Sequence, residues 1–384
     1  MQKVTIVSQF FGTSGYASHT RQLARALHDV GVDVHIDTQG VQGWERTVDD
    51  TELSWITKKT DIEDRTMIFI GVPPFWRMAL ADNPKRFIGF LVWEGSKIPD
   101  YWLPYLLDER VDQIWVPSHH VKEAIHNTFA NAVKEKVEEI EGAKFASVTE
   151  LKKVRVVPHG VNPKLFKPQE KKERPFTFLC NKGWNGSIWD RGGLQYAMRA
   201  FKEEFKKEEN VRMLVKINPA YIPHPDKKAW LHASMGALGL PEDGATLQIT
   251  FDEIPYNKLP EFYGEGDVLV NSTRCEGFGL PGLEAHACGL MTISTGFGGQ
   301  LDYMSEFTDL YTDYTLEEVK QDIMYEGISW GVPSIAHLRK QMRWCFTYPE
   351  LVAEKGSAAV KATSEWSWAK TGEKALKCLG ELSE

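Results

Sequence analysis

"TRCEGFGLPGLEAHACG", residues 273–289, is the stretch that decides how this chain folds. The apolar run "DVLVNS" (267–272) before it reads as a buried strand. Pro281 suits the first turn of a helix, where its missing N–H loses no partner, and Gly289 suits the helix end. The segment is therefore strand, glycine loop, helix, with Glu276 on the loop at the carboxyl end of the strand and Glu284 in the first helical turn. In an open α/β sheet, ligands bind at that end. Gly277 and Gly279 let the backbone approach a ligand closely. The N–H groups of Gly279, Leu280, Gly282 and Leu283 gather at the helix N-terminal end as an anion site. A carboxylate on each side can then take hydroxyl groups flanking a diphosphate, which is the layout of a nucleotide sugar. Taken alone, the pair also fits a blander reading, with Glu284 complementing the helix dipole and Glu276 merely opening the loop. The agreement of strand, glycines and helix favours the site.

Outward from this segment the chain alternates strand and helix. "KVTIVSQF" (3–10) is followed by the glycine loop "GTSG" (12–15) and by a helix carrying Leu23, Ala24, Leu27 and Val30 at helical spacing. "VDVHID", "TMIFIGV", "RFIGFLVW", "QIWVPS" and "VRVVPHGV" are further short strands, with a helix from about Ser118. "NPKLFKPQEKKERP" (162–175), polar and bracketed by prolines, reads as a linker. The alternation then restarts with "FTFLCNKG", "VRMLVKIN", "TLQITF", "DVLVNS" and "MTIST", with helices between them. This predicts two α/β halves, each a parallel sheet covered by helices on both faces. Their bounds are 1–165 for the first half, 166–355 for the second, and 356–384 for a terminal amphipathic helix. The charged stretch 131–153 reads as an inserted, solvated helix.

The composition sets limits. The 384 residues carry a net charge of −8, 42% apolar and 26% charged residues, which suits a globular protein with a sizeable core. That charge gives no footprint for electrostatic capture of nucleic acid, although a nucleic-acid base as acceptor stays compatible with it. Five cysteines without CxxC or metal-ligand spacing argue against a disulfide framework or zinc site and fit a reducing compartment. No signal-peptide pattern and no apolar run of about 20 residues is present, so the expectation is a cytoplasmic protein without a membrane span. No D-x-D stands at a strand end, so no essential metal or cofactor is indicated.

"CEGFGLPGLEAHACG" resembles the E-x7-E segment of retaining glycosyltransferases of family 4, although His286 stands where usual members have Met. Further segments resemble the same family in the same order. They are "GTSGYASHTRQLARALHDVGVDVHI", the W-E subgroup pattern "LVWEGSKIPDYWLPYLLDERVDQIWVPSHHV", "VRVVPHGVNPKLF" and "GFGGQLDYM" (296–304). The resemblance implies the GT-B fold, two Rossmann-like domains facing each other across a cleft, with the terminal helix crossing back to the N-terminal domain. It implies metal-independent transfer of a sugar, with retention, from a nucleotide-sugar donor to a hydroxyl acceptor. UDP or GDP is the expected carrier, and the acceptor stays unspecified among glycan, small molecule, lipid-linked sugar and modified base.

By the same resemblance Lys182 and Arg191 hold the donor diphosphate, in exchanged order relative to the family's G-R … K-G. Glu284 takes the ribose hydroxyls and Glu276 the transferred sugar. Gly277, Phe278, Gly279, Leu280 and Gly282 form the phosphate cradle, with Lys216 beside it. Gly12 and Gly15 bring the amino-terminal loop to the phosphate or acceptor, and Glu94 stands on the sugar or acceptor side. His159 is expected to be structural. Two rival readings use the same architecture: a nucleotide-sugar epimerase and a non-catalytic binding module.

Overall fold

A computed structural model describes residues 2–12, 14–38, 64–134, 153–170, 173–320 and 322–381. Most of the charged stretch 131–153 lies outside the described residues. The chain divides into two compact units, one of residues 1–160, 324–328 and 366–384 and the other of residues 161–323 and 329–365.

The first unit is built on β1 (Lys3–Val7), β2 (Asp33–Asp37), β3 (Thr66–Ile70), β4 (Arg86–Phe90), β5 (Gln113–Val116) and β6 (Val154–Val156). They form one parallel sheet in the order β2-β1-β3-β4-β5-β6. Its helices are α1 (Gly15–Asp29), α2 (Trp76–Leu80), α3 (Leu103–Leu106) and α4 (His119–Lys134). Ser14 caps α1 by accepting the Ala17 N–H at 3.1 Å. The chain reaches that cap through Gly12, whose φ of +98° needs glycine. Arg21 locks the same turn by donating to the carbonyls of Phe10 and Gly12. Glu94 lies half-buried in the segment after β4.

The second unit repeats the plan with β7 (Phe176–Lys182), β8 (Val211–Ile217), β9 (Thr246–Thr250), β10 (Val268–Asn271), β11 (Met291–Thr295) and β12 (Asp309–Thr312). These strands are parallel in the order β12-β11-β10-β7-β8-β9. The strand order therefore reverses between β7 and β10, and the carboxyl ends of those two strands flank the crevice where such sheets bind ligands. A hairpin of β13 (Tyr314–Glu318) and β14 (Ser329–Pro333) follows. The helices are α5 (Leu194–Glu204), α6 (Lys227–Leu238), α7 (Leu259–Gly264), α8 (Leu280–Ala287), α9 (Ile335–Thr347) and α10 (Pro349–Ala362). Strands buried on both faces explain the near-continuous apolar runs in the sequence. Phe178, Met213, Val215, Val270 and Ile293 meet Met198, Phe201 and Leu338 in one core.

The last helix, α11 (Trp368–Gly380), returns to the first unit and packs along α1. The approach is close: a Cβ on Gly372 would lie 2.5 Å from the Ala26 carbonyl oxygen. Trp368 stacks over His19 and His159, whose rings are 4.1 Å apart. Burial holds both imidazoles below their usual range, His159 at about 3, so they pack as neutral rings. His159 has the structural setting expected of it.

Candidate active site

The candidate residues of the second unit converge at the β7/β10 reversal. Lys182 is the last residue of β7, which places it on a rigid strand end rather than in the following glycine-rich loop. Glu276 lies in the loop between β10 and α8, and Arg191 lies just before α5. The Glu276 carboxylate bridges the two cations. Oε1 meets the Lys182 ammonium, and Oε2 lies 3.5 Å from Arg191 Nη1. Burial pushes the Glu276 carboxyl up, but Lys182 and Arg191 outweigh it and hold the group below the usual carboxylate range. Glu276 is therefore ionised at neutral pH.

Main-chain bonds knit the two loops together. The Arg191 carbonyl accepts from the Arg274 N–H at 2.8 Å, and the Arg191 guanidinium donates to the Cys275 carbonyl at 2.7 Å. Ser272 Oγ donates to the Gly193 carbonyl at 2.7 Å. Asp190, whose carboxyl is raised by burial, organises the turn by accepting from the N–H groups of Asn185 and Gly192. Trp184 is fully buried against Trp230 in the core of the unit, while Trp189 is exposed. The tryptophans thus frame the loop without adding a polar group to the site.

The cradle ahead of α8 is held from below by Tyr303. Gly279, at φ +83°, caps the helix, and Tyr303 Oη donates to its carbonyl at 2.6 Å. A Cβ on Gly282 would lie 2.3 Å from that oxygen, so Gly282 serves close packing. Its N–H turns back to the Gly279 carbonyl at 3.0 Å instead of pointing to a ligand, a correction to the expected donor set. Leu283 bonds Tyr303 through its backbone. Of the expected donors, Gly279 and Leu280 stand at the N-terminal end of α8. Phe278 is buried against Tyr303 with ring centroids 5.4 Å apart, and Gly277 lies beside it in the loop.

Glu284 sits in the second turn of α8, not the first, because the helix begins at Leu280. Burial raises its carboxyl to about 7, against the hydrogen bond from Tyr263 and the charge of Lys216. Lys216, the penultimate residue of β8, pairs in register with Asn181 of β7. Its ammonium is lowered by burial, with Glu284 opposing. His286, which stands where a Met was expected, is buried on Asp309 with Nε2 2.6 Å from Oδ1. That contact ties α8 to β12. Tyr263, Tyr303 and Asp190 are site residues that the sequence reading missed. Gly12, Gly15 and Glu94 belong to the first unit.

A carboxyl raised in the folded protein favours folding below its usual value near 4.5 and loses that contribution as pH rises through about 7. At pH 8 the ionised Glu284 therefore costs the ligand-free protein about 3 kcal/mol. Glu284→Gln is expected to raise the melting temperature by several degrees at pH 8 and by little at pH 5. Melts at the two pH values check this.

Residues 192–328 match the sequence model of the family described as Glycosyl transferases group 1. A D-inositol 3-phosphate glycosyltransferase of Acidothermus cellulolyticus is 26% identical over 158 residues, 38% of this chain and 34% of that protein. The chain thus spans about a third of the length of this curated relative. Among solved structures, a glycosyltransferase from Rickettsia africae superposes with a TM-score of 0.64 at 16% identity, covering 99% of both chains. HepE of Anabaena, solved with UDP-glucose, superposes with a TM-score of 0.66 at 13% identity, covering 100% of both. Two parallel six-stranded sheets with this connectivity and the returning helix α11 make the fold GT-B. The likeness to the group 1 glycosyltransferases is carried by residues 192–328.

Proposed function

We propose that this protein is a retaining, metal-independent glycosyltransferase. It moves a hexose from a UDP- or GDP-sugar to a hydroxyl acceptor, in the cytoplasm. The observation that carries this reading is the Lys182–Glu276–Arg191 cluster, with Glu284 on the following helix, at the β7/β10 reversal. The likeness to HepE, solved with UDP-glucose, supports the donor class.

In this reading the donor diphosphate takes Lys182 and Arg191 from Glu276 and seats its oxygens on the Gly279 and Leu280 N–H groups. Released from the cations, the Glu276 carboxylate turns to hydroxyls of the transferred sugar. Glu284 accepts from the ribose hydroxyls. As the bond from the anomeric carbon to the phosphate oxygen lengthens, negative charge grows on the leaving diphosphate. Two fixed cations there are electrostatic preorganisation. The leaving phosphate takes the acceptor proton on the same face, which retains configuration and requires neither a separate base nor a metal. Glu94, Gly12, Gly15 and Lys216 are assigned to the acceptor and donor edges as the family resemblance implies.

A thermal-shift panel tests the reading. UDP, GDP and ADP, with their glucose, mannose, galactose and N-acetylglucosamine conjugates, are added in the presence of a chelator. One nucleotide series is expected to stabilise the protein by roughly 2.7 kcal/mol at 100 times its Kd. If no compound responds, the chain is a binding module without a donor. Interconversion of the donor sugar without any acceptor would establish the epimerase instead.

A further inference from the structure

Glu284 does not present a free carboxylate. Tyr263, on α7, donates its hydroxyl to Glu284 Oε2 at 2.7 Å. Behind it, Asn181 Nδ2 on β7 donates to the same Tyr263 oxygen at 3.1 Å. Because Asn181 uses an acceptor position of the phenol oxygen, the phenolic proton is directed to Glu284. Tyr263 is wholly buried, and Glu284 is only 6% exposed. Oε1 of Glu284 makes no hydrogen bond among the described residues. Three elements thus clamp one oxygen of the carboxylate and leave the other open.

We propose that Tyr263 is a positioning residue for the donor ribose, holding Oε2 of Glu284 so that Oε1 alone accepts from the ribose hydroxyls. The proposal rests on the reading of Glu284 as the ribose ligand and adds how that ligand is aimed. Burial alone does not require this arrangement, since a phenylalanine would fill the same space under α8. The hydroxyl has two effects that phenylalanine lacks. It fixes the rotation of the carboxylate, and it favours the ionised form that can accept from two hydroxyls. The charged and titratable groups facing Glu284 are Tyr263 from α7, Lys216 from β8, Cys288 at the C-cap of α8 and Tyr303 from beyond β11. Asp252 and Glu253 act on Lys216 in turn. Among these, Tyr263 and Lys216 favour the carboxylate.

The test is calorimetric titration with UDP, GDP and ADP between pH 5.5 and 9, on the full chain and on Tyr263→Phe. Wild-type affinity for the nucleotide that binds is expected to fall as the pH drops below about 7, where Glu284 takes up a proton. In Tyr263→Phe this acid limb is expected to move about one unit to higher pH. Titration of the nucleotide's own phosphate is common to both proteins, so the difference between them reads Glu284. The preference for the ribonucleotide over its 2′-deoxy form is expected to shrink in the same variant. If Tyr263→Phe does not fold, Lys216→Met tests the same limb, which is expected to move in the same direction. A uniform loss of affinity at every pH, with the limb and the deoxy preference unchanged, overturns the proposal and leaves Tyr263 a packing residue. Failure of all three nucleotides to bind wild type overturns the reading of Glu284 itself.

Discussion

Glu276→Gln is expected to bind the free nucleoside diphosphate more tightly than wild type, while sugar transfer falls by about 10²- to 10³-fold. The two effects have one cause. In this structure the Glu276 carboxylate occupies both cations, Lys182 and Arg191, that the proposed diphosphate would use. An incoming phosphate has to displace it and then sit beside a displaced negative charge. A neutral amide competes weakly for two cations, so the nucleotide is expected to gain about tenfold in affinity, roughly 1.4 kcal/mol. Transfer suffers because the amide cannot match the carboxylate against charge developing on the sugar. Calorimetry with the diphosphate alone, together with a transfer assay, separates the two effects. Weaker binding of the diphosphate by the variant would mean that Glu276 supports the phosphate site rather than competing for it.

Gly193→Ala is expected to be the most damaging single methyl group in the second unit. Gly193 caps α5 at φ +77°, a left-handed conformation that costs other residues about 1–2 kcal/mol. Its added Cβ would lie only 1.8 Å from the Ser272 carbonyl oxygen. Neither neighbour is free to yield, because Ser272 Oγ is bonded to the Gly193 carbonyl and the Arg191 carbonyl is bonded to the Arg274 N–H. Separating the two loops also separates Arg191 from Glu276. The expected loss is about 4 kcal/mol or more of stability, with nucleotide binding abolished. Gly236→Ala in α6 is the control. A Cβ there meets nothing within 4 Å, and alanine is the better helix former. Urea unfolding of the two variants is expected to place them on opposite sides of wild type.

The fold was legible because its strands are buried on both faces and its helices carry apolar spacing. β7, β8, β10 and β11 stand where the runs "FTFLCNKG", "VRMLVKIN", "DVLVNS" and "MTIST" place them. The hairpin β13–β14 was not legible, since every residue of β13 is exposed and no inward–outward alternation marks it. Helix α9 does carry Leu338, Met342 and Cys345 at helical spacing, a signal the sequence contains and the strand-and-helix reading passed over.

The candidate site divides in the same way. Glu276, Glu284, Lys182 and Arg191 announce themselves by charge within glycine-rich segments. Tyr263 looks like an ordinary apolar position of a short helix, and its hydroxyl acquires meaning only when α8 packs over it. Tyr303 is equally silent, because its partner is the Gly279 carbonyl, 24 residues away in sequence. Gly193 has no signature of its own, since nothing local reports that Ser272 fills the space where a Cβ would go. Spacing reveals what a helix or loop presents, whereas contacts between segments distant in sequence have no local signature.

The proposed function requires the Glu276–Glu284 segment to cradle a nucleotide sugar. Its most direct test is calorimetric titration of UDP, GDP and ADP, without metal, into wild type and Glu284→Gln. One nucleotide is expected to bind wild type and to bind the variant at least about tenfold more weakly, although the variant is the more stable protein at pH 8. Equal affinity in the two proteins, or no binding by either, would contradict the account.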